Sequence, residues 1–190
     1  MSENIDIVLS AFLGDYASKL HVREISRITG MNRQTTSQTL KEMEKSRVMD
    51  SAVEGRNKMY FINGRSQKAR ILVERAENVK KLEICEKRQE IARLVQCLGT
   101  SSVALLFGSY AKGTERKESD IDIIFIGGKA VTGTFEKETG KAVHKFEMSE
   151  RKFLTGLAKK DHMVVEAARN HICLKNAERF VDLMWRANYG

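Results

Sequence analysis

The chain has 190 residues, 42% hydrophobic and 31% charged, and its 33 Lys and Arg against 25 Asp and Glu leave a formal net charge of +8 and a sequence pI of about 9.4. That is enough apolar material for one or two globular cores, and the cationic surplus favours an anionic partner such as nucleic acid or nucleotide. The opening Met1-Ser-Glu-Asn-Ile-Asp6 lacks the basic start and apolar core of a secretory signal, and no apolar run approaches the roughly 20 residues of a membrane span, so a cytoplasmic protein with no membrane contact is expected. Cys85, Cys97 and Cys173 are odd in number and form no CxxC pair, which argues against a zinc site or a disulfide framework.

Ile5, Val8, Leu9, Phe12 and Leu13 recur at helical spacing and predict a first amphipathic helix. Leu20 to Thr29 reads as a second, with Gly30 as the turn, and Asn32 is suited to cap a third that runs to about Ser46. Val48 to Val53 and Lys58 to Ile62 read as two short strands joined by a turn at Glu54-Gly-Arg-Asn57. Arg65 to Leu98 has neither Gly nor Pro and is rich in good helix formers, so it predicts a connecting helix on the order of 50 Å long if continuous, with residues 80–86 the place where a break would fall. Its imperfect apolar stripe (Leu72, Val79, Leu82, Ile91, Val95, Leu98) packs on its own domains or offers a homodimer seam.

Beyond Ser101 the pattern changes. Val103 to Phe107 is a continuous apolar run, typical of a buried strand, and Ile121 to Ile126 and Lys141 to Met148 are further strand candidates. Arg151 to Ala158, Met163 to His171 and Ala177 to Ala187 read as helices. The first of these strands ends in Gly108-Ser109, a small pair that lets the backbone approach a ligand closely; a helix starting there would turn free N–H groups toward phosphate oxygens. Eleven residues after Ser109 come Asp120 and Asp122, which alternation along a strand places on one face. Two carboxylates that close repel unless a cation lies between them, and such oxygen donors suit Mg²⁺ completed by water and phosphate. His162 and Glu166, at i and i+4, have no third ligand in view and read as structural or surface residues.

The run from Leu105 to Phe125, with Gly108-Ser109, Gly113 and Ser119-Asp-Ile-Asp122, resembles the signature of the polymerase β-type nucleotidyltransferase superfamily in its minimal form. The resemblance implies that Asp120 and Asp122 hold Mg²⁺, that Gly108 and Ser109 bind the β- and γ-phosphates of an NTP, and that an acceptor hydroxyl on a protein or nucleic acid attacks the α-phosphorus. Lys112 stands where related domains often carry a basic residue that binds the triphosphate. The family usually has a third carboxylate on the next strand. Within Val143 to Met148 the acid is Glu147, taken here as the third catalytic candidate, although His144 is nearer the expected position.

The N-terminal order of helix, helix–Gly–helix and hairpin resembles a winged helix-turn-helix domain. That resemblance implies DNA contacts from Arg33, Gln34, Thr35, Ser37, Gln38 and Lys41 on the third helix and from Arg56 and Lys58 at the wing. Between Lys19 and Arg65, ten Lys and Arg stand against five acids. The expectation is therefore an α/β (α+β) protein: a winged helix-turn-helix domain over residues 1–64, a connecting helix over 65–98, and a nucleotidyltransferase domain with a mixed sheet flanked by helices over 99–190. Two alternatives are a DNA-binding regulator whose C-terminal domain only binds nucleotide, and an adaptor whose N-terminal domain binds protein alone.

Overall fold

The computed structural model describes residues 2–99 and 102–190, without the side chain of Ser2, so the change of pattern read at Ser101 lies outside the described residues. The chain divides into two compact units, residues 1–77 with 184–190, and residues 78–183. Among the described residues no helix is long and apolar enough to cross a membrane.

The first unit packs three helices, α1 (Ser2–Ser10), α2 (Val22–Thr29) and α3 (Arg33–Lys45), beside a three-stranded antiparallel sheet in which β3 (Asn57–Ile62) lies between β1 (Leu20–His21) and β2 (Met49–Glu54). The helix expected from Leu20 instead begins at Val22, because Leu20–His21 pairs with Met59–Tyr60 as β1. His21 then caps α2: its Nδ1 accepts from the Arg23 amide at 3.2 Å while the Glu24 carboxylate accepts from the His21 amide at 2.9 Å. This reciprocal pair satisfies two orphan donors and fixes the helix start. Asn32 caps α3 as expected, its Oδ1 accepting from the Gln34 amide at 2.8 Å. β2 (Met49–Glu54) and β3 (Asn57–Ile62) form the hairpin, paired from Met49–Ile62 to Glu54–Asn57.

Val8, Leu9, Phe12, Leu13, Ile25, Leu40, Met43 and Val48 are all buried in this unit, and burying each such side chain contributes about 1.5–3 kcal/mol. The last residues of the chain complete it. Trp185 Nε1 donates to the Gly64 carbonyl at 2.8 Å, the Trp185 ring lies edge-on to Tyr16 with centroids 6.1 Å apart, and the Tyr189 hydroxyl donates to the Tyr16 carbonyl. A β-carbon on Gly64 would overlap the Tyr189 ring.

The segment expected as one connecting helix is two: α4 (Gln67–Lys87) and α5 (Gln89–Cys97). The break falls at Arg88, just past the anticipated window, where the backbone is extended at φ −136° and ψ 98°. No Gly or Pro marks the place; the Arg88 guanidinium pairs with Glu115, a tertiary contact that helix propensity does not encode.

The second unit is built on a four-stranded sheet, ordered β6 (Val143–Met148), β5 (Ile121–Ile126), β4 (Val103–Phe107) and β7 (Ile172–Lys175) from edge to edge. β4 (Val103–Phe107) runs antiparallel to both β5 (Ile121–Ile126) and β7 (Ile172–Lys175), while β5 and β6 (Val143–Met148) are parallel, so the sheet is mixed. On one face Ala104, Leu106, Ile121, Ile123, Phe125, Val143, Ile172 and Leu174 form a core with Ile91 and Leu94 of α5, Tyr110 of α6 (Gly108–Lys112) and Phe135 of α7 (Phe135–Thr139). On the other face α9 (His162–Arg169) packs on β4, and Phe153 of α8 (Glu150–Ala158) meets Phe180 of α10 (Ala177–Tyr189) with ring centroids 6.5 Å apart. β7 and α7 were not anticipated. Asn176, at φ 57°, separates β7 from α10, and its side-chain amide donates to the Ser102 carbonyl at 2.8 Å.

Candidate functional site

β4, β5 and β6 share a row of the sheet that runs Phe107, Asp122, His144, each paired in register with the next. Residues directly opposite in adjacent strands point to the same face. Asp120 ends the loop that enters β5. Within that loop Arg116 and Ser119 close on each other: the Arg116 amide donates to Ser119 Oγ at 2.8 Å and the Ser119 amide to the Arg116 carbonyl at 3.0 Å. Ser119 thus shapes the turn that delivers the first aspartate.

Both carboxylates reach solvent, the Asp120 side chain at 45% exposure and Asp122 at 27%. His144 lies between them. Its Nε2 is 3.4 Å from Asp120 Oδ2 and its Nδ1 is 3.3 Å from Asp122 Oδ1. Gly108 abuts the same group. Its φ of 70° is one that side chains rarely adopt, and a β-carbon there would overlap Asp122 Oδ2. Glycine is required twice over, once by the turn from β4 into α6 and once by the approach of the Asp122 carboxylate.

Of the residues singled out in the sequence, the structure brings Gly108, Asp120 and Asp122 together, with Ser109 adjoining as the second residue of α6. It does not bring Glu147 to the pair. Glu147 stands opposite Phe125, three positions beyond His144, and its Oε1 accepts from the Ala130 amide at 2.6 Å. The side chain facing the two aspartates from β6 is His144, and the sequence signal for it was its place in the third strand. Lys112 ion-pairs with Glu166 of α9 at 2.5 Å, and the lysine's donated bond holds the Glu166 carboxyl below the usual carboxylate range. His162 and Glu166 have no third metal-ligating neighbour, since no cluster of three or more His, Cys, Asp or Glu suited to a metal occurs among the described residues. Two solvent-accessible carboxylates at the start of β5 are nonetheless an apt donor set for a hard divalent cation, which binds through one or two carboxylates and takes its other ligands from water and phosphate.

In the first unit, Arg33, Gln34, Thr35, Gln38 and Lys41 are exposed on α3 and Ser37 is half-buried. An open groove is lined by Ser26, Asn32, Arg33, Gln34, Ser37, Gln38 and Lys41. The opposite side of α3 is buried through Thr36, Thr39, Leu40 and Met43. Arg56 is exposed in the β2–β3 turn. Lys58 is committed locally: its Nζ lies 2.7 Å from Glu44, which lowers the Glu44 pKa and raises that of Lys58.

Residues 84–164 match the family model of the nucleotidyltransferase domain, a span that contains α5, the Gly108–Ser109 turn, Asp120, Asp122, His144 and Glu147. The match supports nucleotidyl transfer as the general chemistry of this segment and an NTP as its substrate. No curated protein and no solved structure matches the chain.

Proposed function

We propose that the second unit transfers a nucleoside monophosphate from an NTP to a hydroxyl of a protein or nucleic acid, in a Mg²⁺-dependent reaction. The observation that carries this reading is the solvent-accessible Asp120–Asp122 pair set against the β-carbon-free wall of Gly108. Asp120 and Asp122 hold the cation, which when bound offsets the charge on the triphosphate. The backbone at Gly108 and Ser109 receives the β- and γ-phosphates, with Lys112 able to follow if it leaves Glu166. The acceptor hydroxyl oxygen attacks the α-phosphorus in line and gives up its proton to solvent, the bond to pyrophosphate breaks, and pyrophosphate departs as the acceptor gains the nucleoside monophosphate. Catalysis of this kind is mostly positioning and charge neutralisation.

The first unit supports a DNA-binding winged-helix reading. Three helices, a hairpin and an exposed α3 face of cationic, amide and hydroxyl groups are what a major groove and its phosphates accept. Arg33, Gln34, Thr35, Ser37, Gln38 and Lys41 make the helix contacts and Arg56 the turn contact. Lys58 contributes once its pairing with Glu44 is exchanged for phosphate. The protein on this reading is cytoplasmic.

The test is incubation of the protein with each α-³²P-labelled NTP and Mg²⁺, with and without cell lysate, for wild type and for Asp120→Asn with Asp122→Asn. Label carried to a protein or nucleic acid by wild type alone is the expected result. Equal labelling by the double variant would remove the reading. The place of His144 where the resemblance implies an acid favours one second reading, a DNA-binding regulator whose second unit binds nucleotide without turnover. Nucleotide binding and nucleotide-dependent DNA retention with no label transfer would establish it instead.

A further inference from the structure

Among the Phe, Tyr and Trp residues of the second unit, Phe146 has the ring that solvent reaches. It is 36% exposed, while the other six aromatic side chains of residues 78–183 are 8% exposed or less. It lies in an exposed stretch of β6, where His144, Lys145, Phe146 and Glu147 all reach solvent between buried Val143 and Met148. Its register is specific. Phe146 stands opposite Ile124, and His144 opposite Asp122, so Phe146 follows His144 on the same face at about 7 Å, two residues of strand rise. From the other side of β5, Phe107 stands opposite Asp122, and its ring meets that of Phe146 edge-on, with centroids 5.5 Å apart and planes at 61°. The two rings therefore meet across β5, immediately beside the aspartate pair. Phe107, itself buried, fixes a ring that is left partly open.

A nucleotide seated with its phosphates at Gly108 and Ser109 and its α-phosphate at the two carboxylates carries its base beside them, and Phe146 is the open ring on the face that Asp122 and His144 share. We infer that Phe146, braced by Phe107, is the surface on which the base of the NTP stacks; this rests on the nucleotidyl-transfer reading above. Stacking accepts every base, because each has a π-face. The ring thus selects a nucleotide over a bare polyphosphate and does not choose among the four bases. It is a binding residue, and the transfer chemistry stays with the groups around Asp120 and Asp122.

The test is equilibrium binding of ATP, CTP and inorganic tripolyphosphate, each with Mg²⁺, to the full chain as wild type, Phe146→Leu and Phe146→Trp. Leucine keeps an apolar contact for Phe107 and removes the ring, and matched unfolding midpoints establish that the variants are folded. Phe146→Leu is expected to weaken ATP and CTP by about tenfold, within the range of base–aromatic stacking, and to leave tripolyphosphate unchanged, while Phe146→Trp retains both nucleotides. Wild-type affinity for ATP in Phe146→Leu, or equal loss of ATP and tripolyphosphate, overturns the stacking role and leaves nucleotidyl transfer standing. A wild type that binds neither ATP nor tripolyphosphate overturns both.

Discussion

The two units present their chemistry in opposite ways. In the second, a few residues widely separated in the chain meet in one row of a sheet, and a neighbour such as His144 is fixed by strand register to within a side chain's length of Asp122. In the first, the candidate surface is one face of one helix, and α3 displays it because Thr36, Thr39, Leu40 and Met43 bury the other. A site made by register is sensitive to single atoms, whereas a helix face spreads its work over many replaceable contacts. Substitutions in the two units should differ accordingly in size and in kind.

Loss of packing gives the largest stability effect and bears on the first unit. Trp185→Ala removes a side chain only 9% exposed, with its bond to Gly64, and is expected to destabilise by about 3–5 kcal/mol, read from urea unfolding. An unchanged midpoint would mean that residues 184–190 do not belong to that unit. The next test compares two left-handed glycines. Gly108→Ala meets both strain and the Asp122 carboxylate, and should cost about 1–3 kcal/mol and weaken nucleotide binding. Gly55→Ala, in the β2–β3 turn at φ 62° with open space around it, should cost less and leave nucleotide affinity alone. Equal costs would deny the register-built site its sensitivity.

A pH titration probes the C-terminal closure of the first unit more gently. Burial, with the charge of Asp15, pushes the Tyr189 hydroxyl well above its ordinary value of 10.0. The unfolded chain then ionises first, so the stability contribution is full below about pH 10 and declines as pH rises beyond it. Unfolding midpoints measured from pH 9 to 11 should fall more steeply for wild type than for Tyr189→Phe. The smallest effects belong to the α3 face. Arg33→Ala and Lys41→Ala should each weaken binding to duplex DNA similarly across sequences and reduce the slope of log affinity against log salt by about one. A salt-insensitive interaction would assign that face to another partner.

Much of this arrangement was legible in the sequence where local chemistry decides it. Asn32 marked the start of α3, the run Val103–Phe107 marked a buried strand, and the Gly108-Ser109 and Asp120–Asp122 spacings marked residues that the structure brings together. What stayed hidden depends on contacts distant in sequence. The Leu20–His21 strand exists because β3 lies beside it, and the break at Arg88 accompanies a pair with Glu115. β7 is four residues next to a longer helical pattern, and it becomes a strand by pairing with β4. The side chain that faces the aspartates from β6 depends on the parallel register of β5 and β6, and a shift of one residue would have turned Lys145 to that face in place of His144.

The closure of the first unit by Trp185 and Tyr189 has a consequence during synthesis. Residues 1–77 leave the ribosome first, but the rings that cover Gly64 and Tyr16 are translated after the whole of residues 78–183. At about 5–20 residues per second the N-terminal unit waits roughly 5–20 s with Gly64 and Tyr16 uncovered. The docking of Trp185 and Tyr189 is therefore timed by synthesis of the second unit, and a chain stalled before Met184 would meet chaperones and proteases with its N-terminal unit incomplete.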